Sequence, residues 1–310
     1  MKYLSLFSGI GGFELGIQQA YDNRELLQGK TTEDLSANST NTKERQTRAT
    51  CIGYSEVDKY AIQIYEKHFN HKNYGDITTI IPSTLPSFDL LVGGFPCQSF
   101  SIAGKRKGFT DTRGTLFFEI ARIVREKQPR LLLLENVKGL LSHDKGRTFY
   151  TIISTLDELG YDCQWQVLNS KNFGVPQNRE RVFIVGHLRG TSRPKVFPIT
   201  ETGKKVKKVN QARLRCLYDG NFQSKRVYGK DGLSPTIPTA CGGQHIPFLL
   251  DEVEIRRLTP TECERLQGFP DGWTEGVSDT QRYKCLGNAV TVNVITAIME
   301  KIFDTDNPSN

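Results

Sequence analysis

Tyr3-Leu4-Ser5-Leu6-Phe7-Ser8-Gly9-Ile10-Gly11-Gly12-Phe13-Glu14 is the stretch that decides the fold class. An apolar run of strand length ends in a glycine cluster, and a helical pattern follows it, as at the ligand edge of a strand-turn-helix unit. Apolar runs at Cys51 to Ser55, Asp89 to Val92, Leu131 to Leu134 and Val182 to Gly186 predict further strands. Amphipathic patterns over Lys59 to His68, Gly114 to Lys127 and Thr148 to Leu159 predict the helices between them. This alternation predicts an α/β protein with a doubly wound, Rossmann-like sheet that collects ligands where its strands end.

With 310 residues the chain exceeds what one core usually organises, so a smaller second domain is expected. The alternation stops after Gly186, Arg193 to Lys208 is basic with few apolar anchors, and Tyr218 to Gly243 is rich in Gly and Pro. We therefore expect one domain over residues 1–189 with 283–310, and a loop-rich domain over residues 190–282. Asp22 to Thr50, with very few apolar residues, reads as a mobile surface insertion at 22–50. Thr259 and Glu262 have capping-box spacing with Pro260 between them, which predicts a short helix running to Gln267 and stopped by Gly268. A last helix is expected over Asn288 to Ile302, with Val290, Val294, Ile298 and Ile302 in one row.

The formal charge of +7 suits a polyanionic partner. Seven scattered cysteines without a C-x-x-C pair read as reduced thiols and suggest no metal. No apolar run reaches the roughly 20 residues of a bilayer span, and no signal region develops before Gly9, so a cytoplasmic protein is expected.

Within the glycine loop, Glu14 takes the place of the third glycine of the dinucleotide fingerprint, which disfavours a pyrophosphate at the helix end. S-adenosylmethionine has no phosphate and carries a sulfonium cation, and suits an acidic neighbourhood better. Glu56, at the end of the second strand, is placed to accept from ribose hydroxyls, and Asp76, at another strand end, could take the amine of adenine. Gly93-Gly94-Phe95-Pro96-Cys97-Gln98 puts Cys97 on a constrained turn at the same edge, where a thiol can be exposed and reactive. Leu131 to Leu134 delivers Glu135 there, and Gln177-Asn178-Arg179-Glu180-Arg181 sets two guanidinium groups on one side of an extended segment.

Taken in order, Phe7 to Gly12, Glu56, Asp76, Pro96-Cys97-Gln98, Glu135-Asn136-Val137, Gln177 to Arg181, Leu258 to Pro270 and Gly287-Asn288-Ala289-Val290 resemble the motif series of bacterial and phage-type DNA (cytosine-5)-methyltransferases. The resemblance spans nearly the whole chain and departs from the family in the 22–50 insertion and a short variable region. It implies S-adenosylmethionine as cofactor, leaving as S-adenosylhomocysteine, and no metal. It places Phe7, Gly9, Gly11, Glu56, Asp76 and Asn288 at the cofactor, with Ile10, Gly12, Val57, Ile77, Pro96 and Ala289 beside them. Cys97, Glu135, Arg179 and Arg181 would surround a cytosine flipped from double-stranded DNA. For DNA contacts we expect Gln98, Ser101, Gln223, Arg226 and Thr236, with Arg226 suited to a guanine edge and Gln223 to the orphaned guanine. A monomer is expected, and a cognate restriction endonuclease would fit the resemblance. An RNA cytosine methyltransferase is the nearest rival, and a catalytically silent DNA-binding relative the next. The Pro-Cys-Gln context and the second domain favour DNA, and retention of both Cys97 and Glu135 opposes the silent reading.

Overall fold

The computed structural model describes residues 1–29, 49–96, 116–191, 195–200, 216–218, 227–229, 232–238, 246–251 and 254–305. The first part of the chain runs β1 (Lys2–Leu6), α1 (Gly12–Leu27), β2 (Thr50–Ser55), α2 (Lys59–His68), β3 (Leu90–Gly94), α3 (Leu116–Lys127), β4 (Leu131–Val137), α4 (Arg147–Glu158), β5 (Tyr161–Asn169), β6 (Gln177–Asn178) and β7 (Glu180–Leu188). Six of these strands form one sheet in the order β2-β1-β3-β4-β7-β5. Pairing is parallel from β2 through β4 and antiparallel at β4–β7 and β7–β5. The chain moves from β1 to β2 on one side and then crosses to β3 on the other, so a crevice opens above the ends of β1 and β3.

The four leucines of β4 show why this strand lies in the middle. Leu131 and Leu133 face one core with Tyr3, Val92, Val185 and the helices α1 and α7 (Val292–Thr305). Leu132 and Leu134 face the other, with Leu4, Leu6, Ile184, Phe117 and Ile120 of α3, and Ile152 of α4. A strand buried on both faces needs an unbroken apolar run, which is what the sequence provides. Strand β5, which the sequence analysis does not predict, alternates half-buried polar residues as an edge strand can.

Three expectations need correction. The insertion begins later than Asp22, because α1 continues to Leu27. Tyr21 and Glu25 are buried there, and Asn23 Nδ2 donates to Glu300 Oε1 on α7 at 2.7 Å. Residues 30–48 lie outside the described residues, and Thr50 already opens β2. The last helix is not continuous from Asn288: α6 (Asp279–Asn288) ends there and α7 starts at Val292. Ala289 is extended (φ −64°, ψ 152°), and its carbonyl is held by the side chains of Arg179 and Gln267. The row Val290, Val294, Ile298 and Ile302 is nevertheless buried as expected. Val196, Phe197 and Ile199, in the basic stretch after Gly186, are buried in the α1–α7 core.

By length and composition the stretch Asp279–Asp304 is apolar enough to cross a membrane. It is two helices, however, and 78% of its apolar window is buried in the core. A four-stranded sheet in the order β12-β11-β9-β8 is built from β8 (Cys216–Tyr218), β9 (Val227–Gly229), β11 (Phe248–Asp251) and β12 (Glu254–Arg257). The short β10 (Ser234–Pro235) pairs with β6. Helix α5 (Pro260–Gln267) has the capping box of Thr259 and Glu262 and ends at Gly268 in the left-handed conformation (φ 79°).

Helices α1 and α7 meet at Gly16, where a Cβ would stand 2.6 Å from Ile295 Cβ and 3.1 Å from the Val292 carbonyl oxygen. We predict that Gly16→Ala destabilises the protein by about 1–2 kcal/mol, since overpacking a tight contact outweighs the ~1 kcal/mol that alanine gains in a helix. The urea midpoint should fall. A rise would show that the two helices can separate without cost.

Candidate active site

The carboxyl ends of β1 to β4 open on one cleft of about 310 Å³. On one side its floor is the glycine loop. Phe7 ends β1 with a left-handed backbone (φ 54°), an unusual conformation for a bulky residue and one that gathers at functional sites. Gly9 follows (φ +55°), with no atom within 4 Å of where its Cβ would be, so the loop presents open backbone to the cleft. Glu56 faces it from the end of β2. Its Oε2 accepts from Gly9 N at 2.9 Å, and its Oε1 accepts from Val57 N at 2.8 Å and Asp58 N at 2.9 Å. Three backbone donors therefore fix this carboxylate at the rim, with lone pairs left for hydroxyl groups.

Asp58, which the sequence analysis missed, also lines the cleft while capping α2, its Oδ1 accepting from Tyr60 N at 2.9 Å. Burial opposes its charge, but hydrogen bonds from Lys284 and the helix backbone hold its pKa below the usual value. An aspartate directly before a helical run is a readable capping signal, although it does not announce a second role.

The other side is built by β3, β4 and the start of β7. Glu135 is buried, and its Oε1 lies 3.0 Å from Arg181 Nε. Burial raises the Glu135 pKa, while Arg181 and then Arg179 oppose the rise. Gly94 leaves room for it: a Cβ there would stand 3.1 Å from Glu135 Oε2. Asn136 Nδ2 donates to the Phe95 carbonyl at 2.8 Å, which fixes the turn leading into Pro96. Arg179 is 2% exposed and donates from one amino group to the carbonyls of Gly287 (3.1 Å) and Ala289 (2.8 Å). Its Nε and other amino group are buried and have no hydrogen-bond partner among the described residues. Burial and the neighbouring Arg181 push its pKa down to about 9, so it remains charged at neutral pH. The cleft thus holds Glu56 and the Lys284-paired Asp58 at one end, and at the other Glu135 paired with Arg181 and near Arg179.

Of the expected site residues, Phe7, Gly9, Glu56, Pro96, Glu135, Arg179, Arg181 and Asn288 line this cleft. Ile10, Gly11, Gly12, Val57, Asp76, Ile77 and Ala289 do not. Ile10 and Ile77 are buried in core clusters, and Gly12 packs against Val290. Gly11 (φ +87°) lies over Phe69, and Val57 is 68% exposed. Asp76 Oδ1 accepts from Thr78 N at 2.9 Å, capping a turn, and Ala289 contributes its carbonyl to Arg179. Cys97, Gln98, Ser101, Gln223 and Arg226 lie outside the described residues. Thr236 Oγ1 donates to the Asn178 carbonyl at 2.8 Å, so this residue ties β10 to the segment that carries Arg179. The acidic character ascribed to Glu14 needs correction. Glu14 is 1% exposed, points beneath the loop and accepts from Tyr65 Oη at 3.1 Å, so Glu56 and Asp58 supply the negative charge in the cleft.

The family model for C-5 cytosine-specific DNA methylases matches residues 1–208 and 193–304 of the chain. The Type II methyltransferase M1.ScrFI of Lactococcus lactis subsp. cremoris is 40% identical over 98% of this chain and 78% of its own length. The Type II methyltransferase M.HhaI of Haemophilus parahaemolyticus is 33% identical over 97% of this chain and 94% of its own. Among solved structures, the S. pombe Dnmt2 methyltransferase superposes with a TM-score of 0.72 at 20% identity, covering 99% of each chain, a likeness in fold alone.

Glu14 gives the loop a pH dependence. Burial raises its pKa from 4.5 to about 7, against hydrogen bonds from Ser5 and Tyr65. The folded state therefore keeps a proton that the unfolded state releases, so stability is greatest below the unfolded pKa and falls as pH rises towards the folded value. We predict that Glu14→Gln flattens this fall and makes the protein more stable at pH 8 by about 3 kcal/mol, an upper bound from linkage. Parallel stability-against-pH curves for the two proteins would contradict the assignment.

Proposed function

The chain belongs to the C-5 cytosine-specific DNA methylase family and is a DNA (cytosine-5)-methyltransferase, and we propose that the cleft described above is where it carries out the reaction. The observation that carries the proposal is Glu135, buried beside Arg181 and Arg179 at the end of β4, opposite the Phe95–Pro96 turn that Asn136 holds. Cys97 is the next residue in the chain after that turn.

In this reading Cys97 is the nucleophile. Cytosine C5 is a poor nucleophile until the Cys97 thiolate adds to C6, which breaks the C5–C6 π bond and places electron density on C5. Glu135 suits the N3 and amino edge, because its raised pKa favours the protonated form that donates to N3 as charge develops. Arg181, already aligned on Glu135, suits the O2 edge, and the unpartnered Nε of buried Arg179 adds positive potential at the same end. When bound, S-adenosylmethionine supplies the methyl group that C5 takes. A base then removes the C5 proton, the electron pair restores the double bond, and the Cys97 thiolate leaves.

The chain's own groups fit that cofactor in three respects. Glu56 has acceptor capacity for a ribose diol, Gly9 leaves the loop open, and Glu56 with Asp58 makes the neighbourhood of a sulfonium acidic. Asn288 lines the same cleft, and Val57 directly follows Glu56 in the chain, whereas Asp76 and Ile77 do not line it.

For the substrate we propose double-stranded DNA, with Gln98 and Ser101 beside the flipped base and Gln223 and Arg226 reading base edges. Thr236 would steady the backbone between the recognition unit and Arg179. The recognition unit is best drawn over residues 201–257, narrower than 190–282, because Val196, Phe197 and Ile199 belong to the α1–α7 core, and Leu258, Cys263, Leu266, Phe269 and Trp273 share a core with Ile10, Ala61 and Ile64, onto which Ile237 and Ile246 of the unit also pack. A monomer acting in the cytoplasm, with a cognate endonuclease, completes the proposal.

Cys97→Ser should lower methyl transfer by roughly three orders of magnitude or more while leaving S-adenosylhomocysteine affinity unchanged. Tritium transfer to DNA and calorimetry on the same preparation measure the two quantities. Retention of a tenth of the parent's turnover would overturn the role of Cys97.

A further inference from the structure

We infer that Trp273 is a positioning residue for the glycine loop, holding it in the shape that receives the cofactor; the inference rests on the cofactor reading given above. Trp273 is buried, and its indole Nε1 donates to the Ile10 carbonyl at 2.9 Å across 263 residues of sequence. That carbonyl belongs to the loop between Gly9, which lines the cleft, and Gly11. The indole is clamped from behind by His68, stacked at 3.6 Å with an interplanar angle of 8°, whose Nε2 lies 2.8 Å from the Trp273 carbonyl oxygen. Phe69 stands edge-on to the same indole at 5.9 Å and fills the space where a Gly11 Cβ would be, 2.4 Å away. The loop therefore rests on two aromatic rings, with one directional hydrogen bond fixing its height.

The turn that carries Trp273 is itself held by a buried carboxylate. Glu264 on α5 is fully buried and accepts from Gly272 N at 2.7 Å, Thr274 N at 2.8 Å and Arg282 at 3.1 Å. A buried acid is tolerated only with its charge paired and its lone pairs filled, and here the three-residue span it closes, Gly272 to Thr274, is the one that presents the indole. Two residues earlier on α5, Glu262 accepts two parallel hydrogen bonds from Arg256 of β12, each 2.9 Å. Helix α5 thus carries both the turn that supports the cofactor loop and an ion pair to the sheet of the recognition unit.

The test uses the full chain and S-adenosylhomocysteine as the probe. Trp273→Phe keeps an aromatic ring and removes the donor. Its dissociation constant should rise roughly fivefold to tenfold, as loss of one hydrogen bond to a buried carbonyl implies. The KM for S-adenosylmethionine should rise by the same factor, with kcat at saturating cofactor within about twofold of the parent. Hydrogen exchange at residues 9–12 should quicken in the free variant. His68→Leu, which loosens the indole from its outer side, should shift the same three readouts in the same direction and serves if Trp273→Phe does not fold. A folded variant with parental affinity and loop exchange overturns the inference, as does a fall in kcat with affinity unchanged. Absence of binding by the parent chain would overturn the cofactor reading and this inference together.

Discussion

The site depends on a guanidinium group that is almost wholly buried. Arg179 needs acceptors, and it finds them in the carbonyls of Gly287 and Ala289, more than a hundred residues away. Hydrogen bonds to a charged group stabilise by roughly 1.5–3 kcal/mol each, enough to hold the break between α6 and α7 in its extended form. Gln267 adds bonds to Leu286 and Ala289 from the other side and accepts from Thr291. The break brings Asn288 to the cleft and lets α7 lie along α1, where Gly16 admits it. One buried charge therefore joins the carboxyl-terminal helices, the β6–β7 segment and the cleft into a single arrangement.

The same constraint divides the cleft electrically. With Arg179 and Arg181 fixed at one end, Glu135 is both desolvated, which raises its pKa, and paired with Arg181, which opposes the rise. At the other end Glu56 and Asp58 are bound to backbone amides and Lys284, and they make an acidic surface. A cation is favoured on one side and an electron-rich ring on the other, and a sulfonium methyl donor and a cytosine under attack make that pair of demands.

Much of this was legible in the sequence because it follows short-range rules. The leucines at 131–134 announced a strand, Thr259 to Gly268 announced its helix to the residue, and the motif residues fell at strand ends because the chain alternates strand and helix. What was not legible depended on contacts distant in sequence. The break after Asn288 arises from Arg179, the burial of Glu14 from Tyr65, and the grip of Trp273 on Ile10 from an aromatic stack with His68. The tail of α1 looked like insertion because its few apolar residues hide how Asn23 and Glu25 are held by the core.

The central claim is that addition of Cys97 to C6 and transfer of the methyl group to C5 occur on one cytosine in this cleft. Duplex DNA with 5-fluorocytosine at the methylated position tests it directly, since fluorine at C5 cannot leave as a proton and the enzyme cannot be released. Incubation with S-adenosylmethionine, proteolysis and mass spectrometry should recover the peptide containing Cys97 joined to a methylated fluorocytosine nucleotide. An adduct on another cysteine, or no adduct on the fluorocytosine duplex with a preparation that fully methylates ordinary DNA of the same sequence, would contradict the account.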